Sequence, residues 1–225
     1  MRTHIKQVFE PLFTAIASKA RRYTHLINGK QSYYENWPIY TTNYDKVQDI
    51  FWEGTAELND LFKEENKIHV MQTHRLDEPN LKLVKLHGSH EWYKLGDATI
   101  VKSESNRIRI GGKTVTGEMV LYPLNQKDLY LDPWIDFFKR FKIDLIKTQN
   151  WVVIGYSFND LFIREIFLEY INRPSHKLII IDPNASSIVR NHFGTNRTNV
   201  EAIDNRLEDN ETILKVKNAI LNERD

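Results

Sequence analysis

The sequence predicts a three-layer α/β fold, a mostly parallel, Rossmann-like sheet with helices on both faces and a small β-rich insertion. Three observations predict it. The last third of the chain alternates strand-like and helix-like segments. Its strand-like runs, "NWVVIGYS" (150–157) and "HKLIIID" (176–182), are almost continuously apolar, as strands covered on both faces are. Between 96 and 121 the pattern changes to short β-type pieces. A chain of 225 residues, 41% of them hydrophobic, is long enough to bury a substantial core as one domain.

Taken in order, residues 3–27 carry Ile5, Val8, Phe9, Leu12, Phe13 and Ile16 at helical spacing, which predicts one or two helices. "WPIYTTN" (37–43) reads as a strand, and "DKVQDIFWE" as a short helix capped by Asp45. "KIHVMQ" (67–72) and "LKLVKLHG" (81–88) read as two further strands. "ATIVK", "RIRI" and "TVTGEMVLY", with "GGK" as a tight turn, form the β-rich insertion at about 95–121. "LDPWIDFFKRFKIDLIKT" (131–148) opens on Asp132 and Pro133 and continues with an apolar stripe, predicting a helix. The remaining elements are a helix at 160–171, the strand 176–182, a helix from Pro183, a short strand in "NVEAI" (199–203) and a last helix at 207–222. The chain shows no internal repeat and no low-complexity tract.

Composition removes several classes of function. With 31 basic and 30 acidic residues there is no electrostatic footprint for nucleic acid or an anionic membrane. No apolar run approaches the roughly 18–20 residues of a membrane span, so a cytoplasmic protein is expected. The absence of cysteine excludes disulfides, thiolate zinc sites and a cysteine nucleophile. His69, His74, His87, His90 and Glu91 are not spaced as a zinc hydrolase pair, and along a strand residues three apart point to opposite faces. No metal site is expected.

In a doubly wound sheet, ligands lie beyond the carboxyl ends of the strands. Four polar clusters fall at such ends: "TTNYD" (41–45), "LHGS" (86–89), "GYSFND" (155–160) and "IDPN" (181–184). Each has a structural explanation. Asn43 and Asp45 suit a turn and a cap, Ser157, Asn159 and Asp160 suit a helix start, and Asp182 before Pro183 does so too. Their occurrence in this order is the stronger signal. With "KLHGS" (85–89) and "VIGYSFND" (153–160), the chain resembles the sirtuin-like NAD-binding family, specifically its bacterial NAD-hydrolase branch, over roughly residues 37–222.

The resemblance implies NAD as substrate, no zinc, and a role in antiphage defence. It matches His87 to the catalytic histidine and Asn43 to the asparagine that positions water and the nicotinamide end. Asp45 matches a structural and cofactor-side acidic residue, and Gly155 and Ser157 match the turn that approaches the phosphates and ribose. Asp182 matches the residue facing the adenosine ribose, with Asn184 in the same region. The chemistry suits these residue types. Nicotinamide leaves neutral, charge develops on the sugar carbon, and a histidine near its working pKa can take the proton from water or a ribose hydroxyl.

Two features depart from the family pattern. The opening strand and glycine-rich phosphate loop are missing, since no glycine precedes Gly29 and "TAIASKARR" (14–22) reads as helix; Lys19, Arg21 and Arg22 are poor substitutes. The four-cysteine zinc module of the protein deacylases is replaced by the β-rich insertion. The expectation is therefore an NAD hydrolase whose activity depends on a homo-oligomer or a partner protein. Two alternatives stand beside it: a degenerate, non-catalytic binding or assembly module, and a protein deacylase.

Overall fold

The computed structural model describes residues 39–43, 61–78, 83–103, 109–110, 112–121, 131–207, 209 and 211–221. The expected helices over 3–27 and after Asp45, the basic side chains Lys19, Arg21 and Arg22, and Asp45 itself lie outside those residues. The chain divides into two compact units, one within Glu35–Phe141 and one formed largely by Lys142–Asp225.

In the first unit, β1 (Ile39–Thr41) pairs in parallel with β4 (Leu83–Lys85), with Thr41 opposite Lys85. The other strands are β2 (Phe62–Glu65), β3 (Ile68–Met71), β5 (Gly88–Leu95), β6 (Ile100–Lys102), β7 (Arg109–Ile110) and β8 (Lys113–Val120). They form one six-stranded sheet in the order β2-β3-β6-β5-β8-β7, and every pairing in it is antiparallel.

This corrects the expected mostly parallel, Rossmann-like sheet. Among the described residues the largest sheet is antiparallel, and the β-rich region begins at Phe62 rather than near residue 95. The reason is local. Asn66 and Lys67 both take left-handed backbone (φ 52° and 64°) between Glu65 and Ile68, which are register partners. That two-residue connection has the twist of a tight hairpin, whereas a parallel pair needs a crossover of a dozen or more residues. "KIHVM" is therefore the return arm of a hairpin. Likewise "LKLVKLHG" is not one strand: the chain turns at Leu86 and His87 and continues as β5 into the antiparallel sheet.

One face of that sheet buries Tyr93, Leu95, Val101 and Ile110, with Ile68, Val70 and Val115 packed around them. The helix α1 (Trp134–Lys147) begins one residue after Pro133, which follows Asp132 through a cis peptide bond. Its stripe is core, as the spacing predicts: Phe137, Phe138 and Phe141 are all buried. Trp92 meets Phe62 and Phe137 at ring distances of 5.1 and 6.1 Å, and Tyr40 meets Phe141 at 4.8 Å. These contacts tie α1 to β1 and β5, and β5 to β2.

In the second unit, β9 (Asn150–Ile154), β10 (Lys177–Ile181) and β11 (Val200–Ile203) form a parallel sheet with β10 in the centre. Here the expectation of parallel strands holds, and β10 is buried on both faces, whereas β9 and β11 are largely half-buried. Ile179 and Ile181 pack with Val216 and Ala219 of α4 (Thr212–Leu221). Trp151, opposite Leu178, meets Phe167 of α2 (Leu161–Ile171) at 5.6 Å. Alternation along β10 thus sends Leu178 and Ile180 to α2 and Ile179 and Ile181 to α4. The remaining helix is α3 (Ala185–His192). Among the described residues no helix is long and apolar enough to cross a membrane.

Candidate functional site

Each unit delivers its candidate residues at the carboxyl ends of neighbouring parallel strands. In the first unit the ladder continues one step past β1 and β4, Leu86 N–H donating to Thr41 O at 2.8 Å. With Thr41 opposite Lys85, Asn43 and His87 each stand two residues beyond the end of their strand. Asn43 is exposed, and its N–H donates to Thr41 Oγ1 at 3.0 Å. This is the local turn expected of a Thr-x-Asn segment, and it leaves the Asn43 side chain on the outside of the turn.

His87 is only 4% exposed and sits in the two-residue turn between β4 and β5. Its carbonyl accepts from Leu121 N–H at 2.9 Å. Gly88 follows with φ +77°, a conformation costly for any residue with a Cβ. An added Cβ there would lie 2.0 Å from Met119 O and 2.7 Å from the Trp134 ring. Helix α1 and strand β8 therefore press directly on the backbone beside the histidine.

Of the buried polar side chains around this turn, sequence reasoning gave no role to Thr41, Lys85 or Ser89 and weighed Glu91 only as a metal ligand. Thr41, Lys85, Ser89 and Glu91 are all buried, and Lys85 Nζ donates to Ser89 Oγ at 3.3 Å, across the base of the His87 turn. Lys85 and Ser89 lie inside "KLHGS" itself, so the motif carried the signal. His90 is exposed and 3.8 Å from Glu118. No group of three or more metal-ligating side chains is gathered among the described residues.

In the second unit, Ile154 stands opposite Ile181, so Gly155 and Asp182 are the next residues out from β9 and β10. Gly155 N–H donates to Ile181 O at 2.9 Å, and Asp182 N–H to Ile203 O at 3.3 Å. Gly155 has φ +60°, and a Cβ added there would meet nothing within 4 Å. Ser157 and Asn159 are exposed, while Asp160 caps α2, its Oδ1 accepting from Ile163 N–H at 3.1 Å. Asp160 is thus the cap that the sequence suggested, and Ser157 is not engaged in capping there.

Asp182 Oδ1 accepts from Asn184 N–H at 2.8 Å. Asn184 occupies the cap position of α3 without a side-chain capping bond and is exposed. The start of α3 is held instead by Asp204, just past β11, whose Oδ1 accepts from Ser186 N–H at 2.7 Å and whose other oxygen accepts from the Ser186 hydroxyl. These bonds hold the Asp204 carboxyl below its ordinary range. Asp204 obeys the same strand-end rule as the four clusters and was legible by it.

At the far end of α3, His192 Nδ1 lies 3.2 Å from Arg164 Nη1 of α2. Burial, then the Arg164 charge, depresses the His192 pKa below its ordinary value of 6.5. Between that value and the depressed one, the unfolded chain takes up a proton that the folded chain refuses, so stability falls as pH drops through this window. NMR titration is expected to find His192 below 6.5, and Arg164→Leu to raise it. The Tyr156 hydroxyl in the same loop is buried without a hydrogen-bond partner. Burial first, then Asp160, pushes its pKa upward.

The architecture, two sets of parallel strands whose carboxyl ends carry "TTN", "KLHGS", "GYSFND" and "IDPN", agrees with the comparisons. No curated protein matches the chain. The family model for the SIR2-like domain matches residues 38–203, which takes in β1 at one end and β11 at the other. The match covers most of the chain and all four strand-end clusters, and on that ground the chain belongs to the SIR2-like domain family.

Proposed function

We propose that this chain hydrolyses NAD at the bond between nicotinamide and ribose, with His87 as the base and Asn43 as the group that holds water and the nicotinamide end. The observation that carries the reading is the register of β1 and β4. It brings the segments that carry exposed Asn43 and buried His87 out from the carboxyl ends of two adjacent parallel strands. An amide offers a donor and an acceptor without adding charge, and the imidazole accepts the proton that the attacking water gives up. Gly155, Ser157 and Asp182 are assigned to the cofactor's phosphates and riboses, with Asn184 as an outlying contact. The reading extends to a defence effector whose turnover depends on self-association or a partner protein.

The test is nicotinamide release from NAD by the purified chain across a range of protein concentrations, beside His87→Ala and Asn43→Ala. Release above background that both substitutions remove supports the reading. Equal background in all three proteins, at every concentration, sinks it for the isolated chain.

Gly155 supplies a second check. Gly155→Ala is expected to cost only about 1–2 kcal/mol of stability from its left-handed backbone, because the space for a methyl group is open. If that space is where the cofactor backbone approaches, KM for NAD rises well beyond what the loss of stability explains. An unchanged KM would remove Gly155 from the cofactor assignment.

A further inference from the structure

The strand ladders that hold the backbone at His87 give way just beyond it. Leu86 N–H donates to Thr41 O of β1 at 2.8 Å, and Leu121 N–H donates to His87 O at 2.9 Å. Gly88 then stands opposite Val120 on β8, but the next register pair on that side is Tyr93 with Glu118. Such a slip lets a strand bend and re-aim its side chains. On the other side, β5 pairs with β6 from Trp92 onward. Ser89 falls in the gap between these register pairs, although it is only 1% exposed.

A side chain crosses that gap. Lys85, the last residue of β4, donates from Nζ to Ser89 Oγ at 3.3 Å, and this bond closes the base of the turn that carries His87. Both partners are buried. Taking an ammonium out of water is among the costliest burials a protein makes, and a methionine would fill similar space without that cost. Packing alone does not call for a lysine here.

We propose that Lys85 and Ser89 are positioning residues, a buried brace that fixes the His87 imidazole at the angle at which it takes the proton from water. This rests on the assignment of His87 as the base made above. A base works only within hydrogen-bond reach of its proton, and a shift of about 1 Å in a positioned group can cost a hundredfold in rate. Lys85 and Ser89 stand two residues before and two after His87. Losing their bond therefore frees the turn at its base while the main-chain bonds of Leu86 and His87 remain, and the imidazole shifts without the strands separating.

The test compares the full chain with Lys85→Met, Ser89→Ala and the double substitution. The imidazole resonances of His87 and His176 are recorded without ligand, and kcat and KM for nicotinamide release are measured with NAD. The His87 resonances are expected to move in all three variants and those of His176 in none. In each single variant kcat should fall about five- to tenfold, the worth of one net hydrogen bond, with KM unchanged. The double variant should be no slower than the slower single one, because each removes the same bond. Unmoved His87 resonances in Ser89→Ala overturn the proposal whatever the kinetics, and that variant decides the matter if Lys85→Met does not fold. Single effects that multiply in the double variant also overturn it, since the two side chains would then act apart. So does a lowered melting temperature with kcat per folded molecule unchanged, the result of a merely structural pair. Moved His87 resonances in chains that release no nicotinamide, the unsubstituted one included, would remove the NAD reading and leave the brace standing.

Discussion

Removing the imidazole of His87 is expected to lower kcat for nicotinamide release by about two to four orders of magnitude, the usual worth of a positioned base. KM for NAD should hardly move, since proton transfer is made only on the way to the transition state. His87→Ala also empties a buried position, so some loss of stability accompanies it and a control is required. His176 supplies one. It is as buried as His87 but stands just before β10, at the amino edge of its sheet. Its two ring nitrogens lie 3.2 Å from Ser175 Oγ and Ile146 O, and its ring meets Trp151 at a tilt, 4.9 Å between centroids. His176→Ala should therefore lower the melting temperature and leave kcat unchanged. Asn43→Ala should do the reverse: its side chain is exposed, so stability holds while kcat falls about a hundredfold, as when one positioned donor is lost. If His87→Ala and His176→Ala affected kcat alike, His87 would be a structural histidine too.

What the sequence discloses depends on how far apart the interacting residues are. The helix α2 and the strands β9 and β10 were legible because their apolar periodicity is carried by the residues themselves. Asn43 and His87 were legible because short motifs fall at strand ends, and the strands that carry them, β1 and β4, are parallel neighbours. The antiparallel sheet was misread because its first hairpin turns on Asn66 and Lys67, without the glycine that marks such turns. Its central strand β5 was hidden behind "KLHG", where an apparent strand end is a two-residue turn. His192 was beyond reach in principle. A histidine in the last turn of a helix reads as a partner for the helix dipole, and nothing local says that its ring lies 3.2 Å from Arg164 of α2. The role of Asp204 was hidden for a like reason: the start of α3 is held by this carboxylate from beyond another strand, bonded to Ser186, while Asn184 at the cap position makes no side-chain cap.

Gly88→Ala should be among the most destabilising single methyl additions in the molecule, although it touches no candidate group. Two costs coincide at this position. The backbone has φ +77°, and the new Cβ would lie 2.0 Å from Met119 O and 2.7 Å from the Trp134 ring. A strained conformation costs about 1–3 kcal/mol and forced overpacking about 1–3 kcal/mol more, so a loss of about 2–6 kcal/mol is expected in chemical denaturation. Gly155→Ala separates the two terms, because it carries a similar φ with nothing within 4 Å of the added methyl. Relief at Gly88 is restricted, since Met119 O belongs to the strand paired with β5 and Trp134 meets Phe137 edge-on at 5.6 Å. The chain would have to move instead at Leu86 and His87, the turn that carries the candidate base. The surviving folded fraction should then release nicotinamide more slowly than its concentration accounts for. If Gly88→Ala cost no more than Gly155→Ala, α1 and β8 would not press on this turn, and the burial of His87 would need another cause.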